Sequence, residues 1–128
     1  VALLPKDPDA SARRIRREIE QDAGARPAVI ISDSFGRPWR LGTVDVAIGV
    51  AGINPIKDER GLRDAYGYQL RAAVTAIADE LAAAAELVMG KREAIPAVVV
   101  RGGNIEAKED ASVKELLRPE QQDLFRRF

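Results

Sequence analysis

The chain contains no cysteine and no histidine. Disulfides and thiolate metal sites are therefore excluded, and a reducing, cytoplasmic setting is expected. Without imidazole there is no histidine acid–base catalysis, and any metal has to sit on oxygen, which points to Mg2+ or Mn2+ rather than zinc. Net charge is also absent: Lys and Arg total 20, and so do Asp and Glu. Bulk electrostatics then favour neither nucleic acid nor a membrane surface, and neither is expected as a partner. No apolar run in the sequence approaches the roughly 20 residues of a membrane span. The opening Val1-Ala2-Leu3-Leu4-Pro5 shows no signal-peptide pattern and no initiating Met, so the chain reads as a piece of a longer protein. No internal repeat is visible.

What is present suits one soluble domain: 128 residues, 46% hydrophobic and 31% charged. The expected class is α+β, a small mixed or antiparallel sheet packed against a long Ala-rich helix. Val1 to Pro5 reads as an edge strand or linker. Asp7-Pro8-Asp9 opens a helix that runs to Ala23 and stops at Gly24. Its apolar stripe is Ala12, Ile15 and Ile19, and Arg13, Arg14, Arg16 and Arg17 read as a solvated face. Pro27–Ser32 is a continuous apolar strand, covered on both faces, that breaks at Asp33-Ser34. Thr43–Val50 is a second strand, interrupted by Asp45; Gly49 and Gly52 suggest a bulge or a close backbone approach. Asn54 to Gly67 is a long, charged loop. Leu70, Val74, Ile77, Leu81, Ala84 and Val88 keep helical spacing, which predicts a helix over Tyr68–Met89 closed by Gly90. Ala97–Val100 reads as a buried strand, residues 104–112 as polar and mobile, Ser112–Leu117 as a short helix, and Pro119 opens a last helix that ends at Phe128.

Three constellations suggest chemistry. Asp33 and Ser34 offer a carboxylate and a hydroxyl to a hard divalent cation, although Asp-Ser is also common turn chemistry. Arg37 and Arg40 flank Pro38-Trp39 and suit phosphate or carboxylate. The plainer reading makes Trp39 a core anchor and pairs the arginines with Asp45 or Asp58. Met89-Gly90-Lys91-Arg92 puts two cations after a helix, as a phosphate cradle or as ordinary compensation of the helix dipole. Asp79-Glu80 lies mid-helix, where adjacent acids point about 100° apart, so at most one faces any site.

Read together, Ser32-Asp33-Ser34-Phe35-Gly36-Arg37-Pro38-Trp39-Arg40, Val46-Ala47-Ile48-Gly49-Val50-Ala51-Gly52, Asp64-Ala65-Tyr66-Gly67, Ala78-Asp79-Glu80-Leu81-Ala82, Leu87-Val88-Met89-Gly90-Lys91 and Pro96-Ala97-Val98-Val99-Val100-Arg101-Gly102 closely resemble the coenzyme F-420:γ-L-glutamyl ligase family. Arg118-Pro119 and Asp123-Leu124-Phe125-Arg126 resemble that family's close. The likeness covers essentially the whole chain as one domain, 1–128, the central and C-terminal part of such a ligase. The Gly-Arg-Pro-Trp-Arg form is closer to the bacterial branch, where a flavin-binding nitroreductase-like domain can follow.

The resemblance implies a cytoplasmic, homodimeric enzyme that uses GTP to add L-glutamate to the lactyl carboxylate of a deazaflavin precursor through an acyl phosphate. It implies two divalent ions, Mg2+ or Mn2+, with K+ as a further candidate. Asp33 matches a ligand of the first ion and Ser34 a ligand of the second. Met89, Gly90, Lys91, Arg92, Glu93, Ala94 and Ile95 match a turn that contacts GTP. No covalent nucleophile is implied. There are departures. Archaeal members carry an acidic metal ligand where this chain has Lys91, so either Glu93 moves in, or Lys91 meets phosphate and the second ion is held differently. The turn is also one residue shorter. The family's N-terminal half, with an Asp-x-Ser-Asn metal motif, is missing. The alternative is therefore a non-catalytic module for dimerisation and substrate presentation; a divergent, inactive member is a third reading.

Overall fold

A computed structural model of the chain describes residues 3–103 and 105–123. Helix α1 (Pro8–Ala23) starts and stops where its capping residues dictate. The Asp7 carboxylate accepts the Ala10 N–H at 2.9 Å, and Gly24 closes the helix in a left-handed conformation. Ala12 is fully buried, with Ile15 and Ile19 partly so. Arg13, Arg14 and Arg17 are exposed as expected. Arg16 is not: its guanidinium donates to the Pro27 carbonyl at 2.9 Å and holds Glu109 at 2.7 and 3.0 Å.

Strands β1 (Val29–Gly36) and β2 (Thr43–Ala51) form an antiparallel hairpin. β1 does not break at Asp33-Ser34; it runs through both to Gly36 and stays only partly covered. The ladder can carry a polar pair because β2 supplies the partner backbone groups. The register pairs Ser32 with Ala47, Asp33 with Val46 and Ser34 with Asp45, and slips between Ile31 and Ser32, leaving Ile48 as the bulged residue. A Cβ on Gly49 would lie 2.5 Å from the Pro8 backbone. Glycine there is what lets α1 sit directly on β2, the close approach expected from the sequence.

Strands β3 (Lys57–Asp58) and β4 (Val74–Thr75) make a second antiparallel pair. Helix α2 spans Ile77–Met89, so the helix expected from Tyr68 starts nine positions late. Residues 57–75 instead fold back on themselves: the Glu59 N–H reaches the Ala73 carbonyl at 2.9 Å, Gly61 that of Leu70 at 2.8 Å, and Leu70 that of Leu62 at 2.8 Å. Those bonds consume the backbone groups a helix would need, and Val74 is left 45% exposed. The class is α+β with antiparallel pairing, as expected. Its core joins Ala47, Val50 and Ile53 to Ala78 of α2 and to Ala111. Ala78 and Ala82 are one helical turn apart and both buried, so small side chains bring α2 close to the sheet.

Ala97–Val100 forms no strand; Val99 is 77% exposed, and no ladder partner runs beside it among the described residues. The stretch expected to be polar and mobile is fastened at several points. The Asn54 N–H reaches the Glu106 carbonyl at 2.8 Å, Glu109 holds Arg16, and Ala111 is buried. Ser112 caps a 3₁₀ turn at Val113–Leu116 through a reciprocal bond with Glu115. Pro119 leads into a short 3₁₀ turn, Glu120–Gln122; the rest of the expected last helix, and Val1-Ala2, lie outside the described residues. Among the described residues no helix is long and apolar enough to cross a membrane.

Candidate functional site

Strand alternation separates Asp33 from Ser34. Cross-strand neighbours share a face, so Ser32 and Ser34 join Ala47 and Asp45, whereas Asp33 lies on the other face with Val46. On the first face Ser32 Oγ and Ser34 Oγ donate to the two Asp45 oxygens at 3.2 and 3.1 Å. Lys91, from the turn after α2, donates to Ser34 Oγ at 2.8 Å and to Asp45 Oδ1 at 3.0 Å. Glu86 Oε1 stands 3.3 Å from the same ammonium.

Asp45 is only 6% exposed. Burial pushes its carboxyl up, but hydrogen bonds from Lys91, Ser34 and Ser32 and the Lys91 charge outweigh it and hold the group below its ordinary value. The hydrogen bond to Asp45 works the other way on Lys91: against desolvation, and helped by Glu86, it raises the ammonium above its ordinary value.

The turn that presents Lys91 has a steric reason. Glu93 folds back so that its Oε2 accepts the Arg92 N–H at 2.9 Å. A Cβ on Gly90 would crowd that oxygen, and the backbone there, φ 59° and ψ −169°, is one that glycine alone adopts readily. Met89 and Gly90 are half-buried and Lys91, Arg92, Glu93, Ala94 and Ile95 are exposed; Ala94 adopts φ 53°. Glu93 is thus spent on its own turn, and Lys91 is the residue that reaches Ser34.

Asp33 is exposed, with Oδ1 accepting the Ser34 N–H at 2.8 Å. Arg37 bends onto its own loop, donating to the Leu41 carbonyl at 2.8 Å, and its Nε is enclosed without a hydrogen-bond partner. Arg40 is exposed. Neither arginine takes the acids suggested for it: Lys91 holds Asp45, and Arg60 holds the Asp58 carboxyl down at about 2. Trp39 is no core anchor; it is 91% exposed at the hairpin tip. Of the acidic pair in α2, Asp79 turns inward to accept the Ala47 N–H beside the bulge at 2.9 Å, while Glu80 stays in solvent.

Sequence reasoning missed the central place of Asp45 and all of Glu86. The signal for Asp45 was an acid inside an apolar strand, since a buried carboxylate requires partners. Glu86 carried no comparable signal. A cavity of about 310 Å³, lined by Asn54, Ile56, Lys57, Ile77, Ile105 and Glu106, includes none of the candidate site residues.

The metal positions differ in fit. Asp33 offers one open carboxylate, a suitable single ligand for a hard cation. The surroundings of Ser34 do not fit a second divalent ion, because an ammonium already takes the oxygens there. Among the described residues no group of three or more Asp, Glu, His or Cys is arranged to hold a metal ion.

Residues 1–102 match the family model described as F420-0:Gamma-glutamyl ligase. Over 127 residues the chain is 53% identical to the coenzyme F420:L-glutamate ligase of Methanothermobacter thermautotrophicus, covering 96% of this chain and 50% of that protein. To the ligase of the same name from Methanocaldococcus jannaschii it is 48% identical over 127 residues, covering 98% of this chain and 51% of the other. The corresponding ligase of Archaeoglobus fulgidus is 46% identical over 126 residues, 98% of this chain and 50% of that protein. The chain spans about half the length of the curated relatives it matches.

Proposed function

The chain belongs to the F420-0:gamma-glutamyl ligase family, and on that premise we propose that the protein carrying it joins L-glutamate to the deazaflavin precursor of coenzyme F420 at the expense of GTP. The substrate carboxylate attacks the γ-phosphorus of GTP and GDP leaves. The glutamate amine then attacks the acyl phosphate carbonyl, loses a proton, and phosphate departs. This chemistry asks for positioning and charge neutralisation rather than a covalent nucleophile, which suits a chain without cysteine or histidine.

One observation carries the reading. The Lys91 ammonium lies 2.8 Å from Ser34 Oγ, joining the turn Met89–Ile95 to the Asp33-Ser34 hairpin across 57 positions. Arg37 and Arg40 of the same hairpin would face phosphate oxygens, with the Lys91 charge beside them. A divalent ion held by Asp33, Mg2+ or Mn2+, would neutralise phosphate charge there; K+ is a further candidate cation. A second chain, the remaining half of the ligase and a following nitroreductase-like domain are proposed partners, in the cytoplasm. In support of a protein neighbour of some kind, the chain exposes 10179 Å², against roughly 6,700 Å² for a compact monomer of this length.

The test is Asp33→Asn in the purified protein. Glutamate addition falls by about 100-fold or more, while the melting temperature stays put because Asp33 is exposed. Undiminished turnover removes Asp33 from the site. A second reading, a non-catalytic module for dimerisation and substrate presentation, is favoured by the lack of a complete metal cluster among the described residues. GTP hydrolysis or ligation by the 128-residue chain alone would refute it.

A further inference from the structure

Lys91 makes an unusual set of contacts for a side chain that is 54% exposed. Its ammonium has three N–H donors, and three oxygens from three elements converge on it: Ser34 Oγ at 2.8 Å, Asp45 Oδ1 at 3.0 Å and Glu86 Oε1 at 3.3 Å. One hydroxyl and two carboxylates are also the donor set a hard divalent cation takes. Asp45 is 6% exposed and its two serine partners are neutral hydroxyls on a neighbouring strand, so an ammonium beside it favours the ionised carboxylate. The charge is supplied by a tethered amine. Three local features put it there: Gly90 turns the chain sharply after α2, Glu93 is diverted to its own turn, and Glu86 lies on the last turns of the helix. An ammonium and a divalent ion cannot share these oxygens, since they would be like charges in contact.

We propose that Lys91 is the built-in cation of this position. Its ammonium replaces a divalent ion at Ser34, Asp45 and Glu86, so the protein needs one metal ion fewer than a site built on those oxygens would bind. The inference takes its catalytic meaning from the ligase reading, but the cation count can be measured without any ligase activity.

The experiment counts bound Mn2+ by the electron paramagnetic resonance of the free ion, without nucleotide or substrate. It compares the purified protein, Lys91→Gln, Ser34→Ala, and Lys91→Gln combined with Ser34→Ala. Lys91→Gln should bind one Mn2+ more than the parent, and adding Ser34→Ala should weaken that extra ion by about 10-fold or more. An unchanged count in a cooperatively melting Lys91→Gln protein overturns the proposal. So does a parent protein that loses a Mn2+ on Ser34→Ala alone, because a divalent ion would then sit at Ser34 with Lys91 in place. If Lys91→Gln melts poorly, recovery of its thermal transition by Mn2+ supports the proposal and absence of recovery overturns it. Failure of the ligase reading would show separately, as no glutamate addition by the parent.

Discussion

Asp9 in α1 and Asp45 in β2 are 7% and 6% exposed, and both carboxyls stay below their ordinary values although burial pushes each of them up. Their partners are of different kinds. Asp9 accepts the Val50 N–H at 2.9 Å, the Ser112 hydroxyl at 2.7 Å and the Val113 N–H at 3.2 Å. These are neutral donors held by β2 and by the 3₁₀ turn, so Asp9 fastens three parts of the fold. Asp45 accepts two hydroxyls and an ammonium whose side chain is half in solvent. Fixed neutral donors make a structural lock. A half-exposed charged donor makes a position that stays in contact with solvent.

Asp9→Ala should break the lock outright. It strands the buried Val50 N–H and loses charge-assisted bonds, a cost of about 3 kcal/mol. The melting temperature should then fall by about 10 °C. A fall of a degree or two would mean that water serves those donors equally well and that the two aspartates are not different in kind. Gly49→Ala tests the same junction sterically. Its Cβ would meet the Pro8 backbone at 2.5 Å, pushing α1 off β2 at a cost of about 2 kcal/mol. Denaturant melts that match the parent would show that α1 rides more loosely than its contacts suggest.

The smallest effect is in the pH dependence. A carboxyl held below its ordinary value of 3.8 contributes stability above that pH and loses it as pH falls through its own lower value. Asp9→Asn should therefore flatten the acid limb of the stability curve below pH 3.8, with Arg13 and Glu115 as the charged groups nearby. Asp45→Asn should flatten it less, since the half-exposed Lys91 is screened by solvent. Acid melts with the two variants in reverse order would invert the assignment of lock and site.

The sequence by itself determined the features that depend on near neighbours. Asp7, Pro8 and Gly24 bound α1 because capping is settled within one turn of chain. Thr43 to Ala51 is β-branched and apolar enough to form a strand, and Gly49 announced a close approach. The missing histidine and cysteine leave oxygen as the ligand this chain can offer a metal. Tertiary structure decided the rest. Leu70 and Val74 have helical spacing, yet residues 57–75 pair with themselves because backbone hydrogen bonds between distant positions of this segment outweigh a weak local preference. Ala97–Val100 has strand composition, but a strand needs an edge to pair with. Asp33 and Ser34 are adjacent in sequence and yet face opposite ways, because β1 continues through them and its side chains alternate. Asp45, Glu86 and Lys91 meet only when α2 packs on β2, since their charges act through space rather than along the chain.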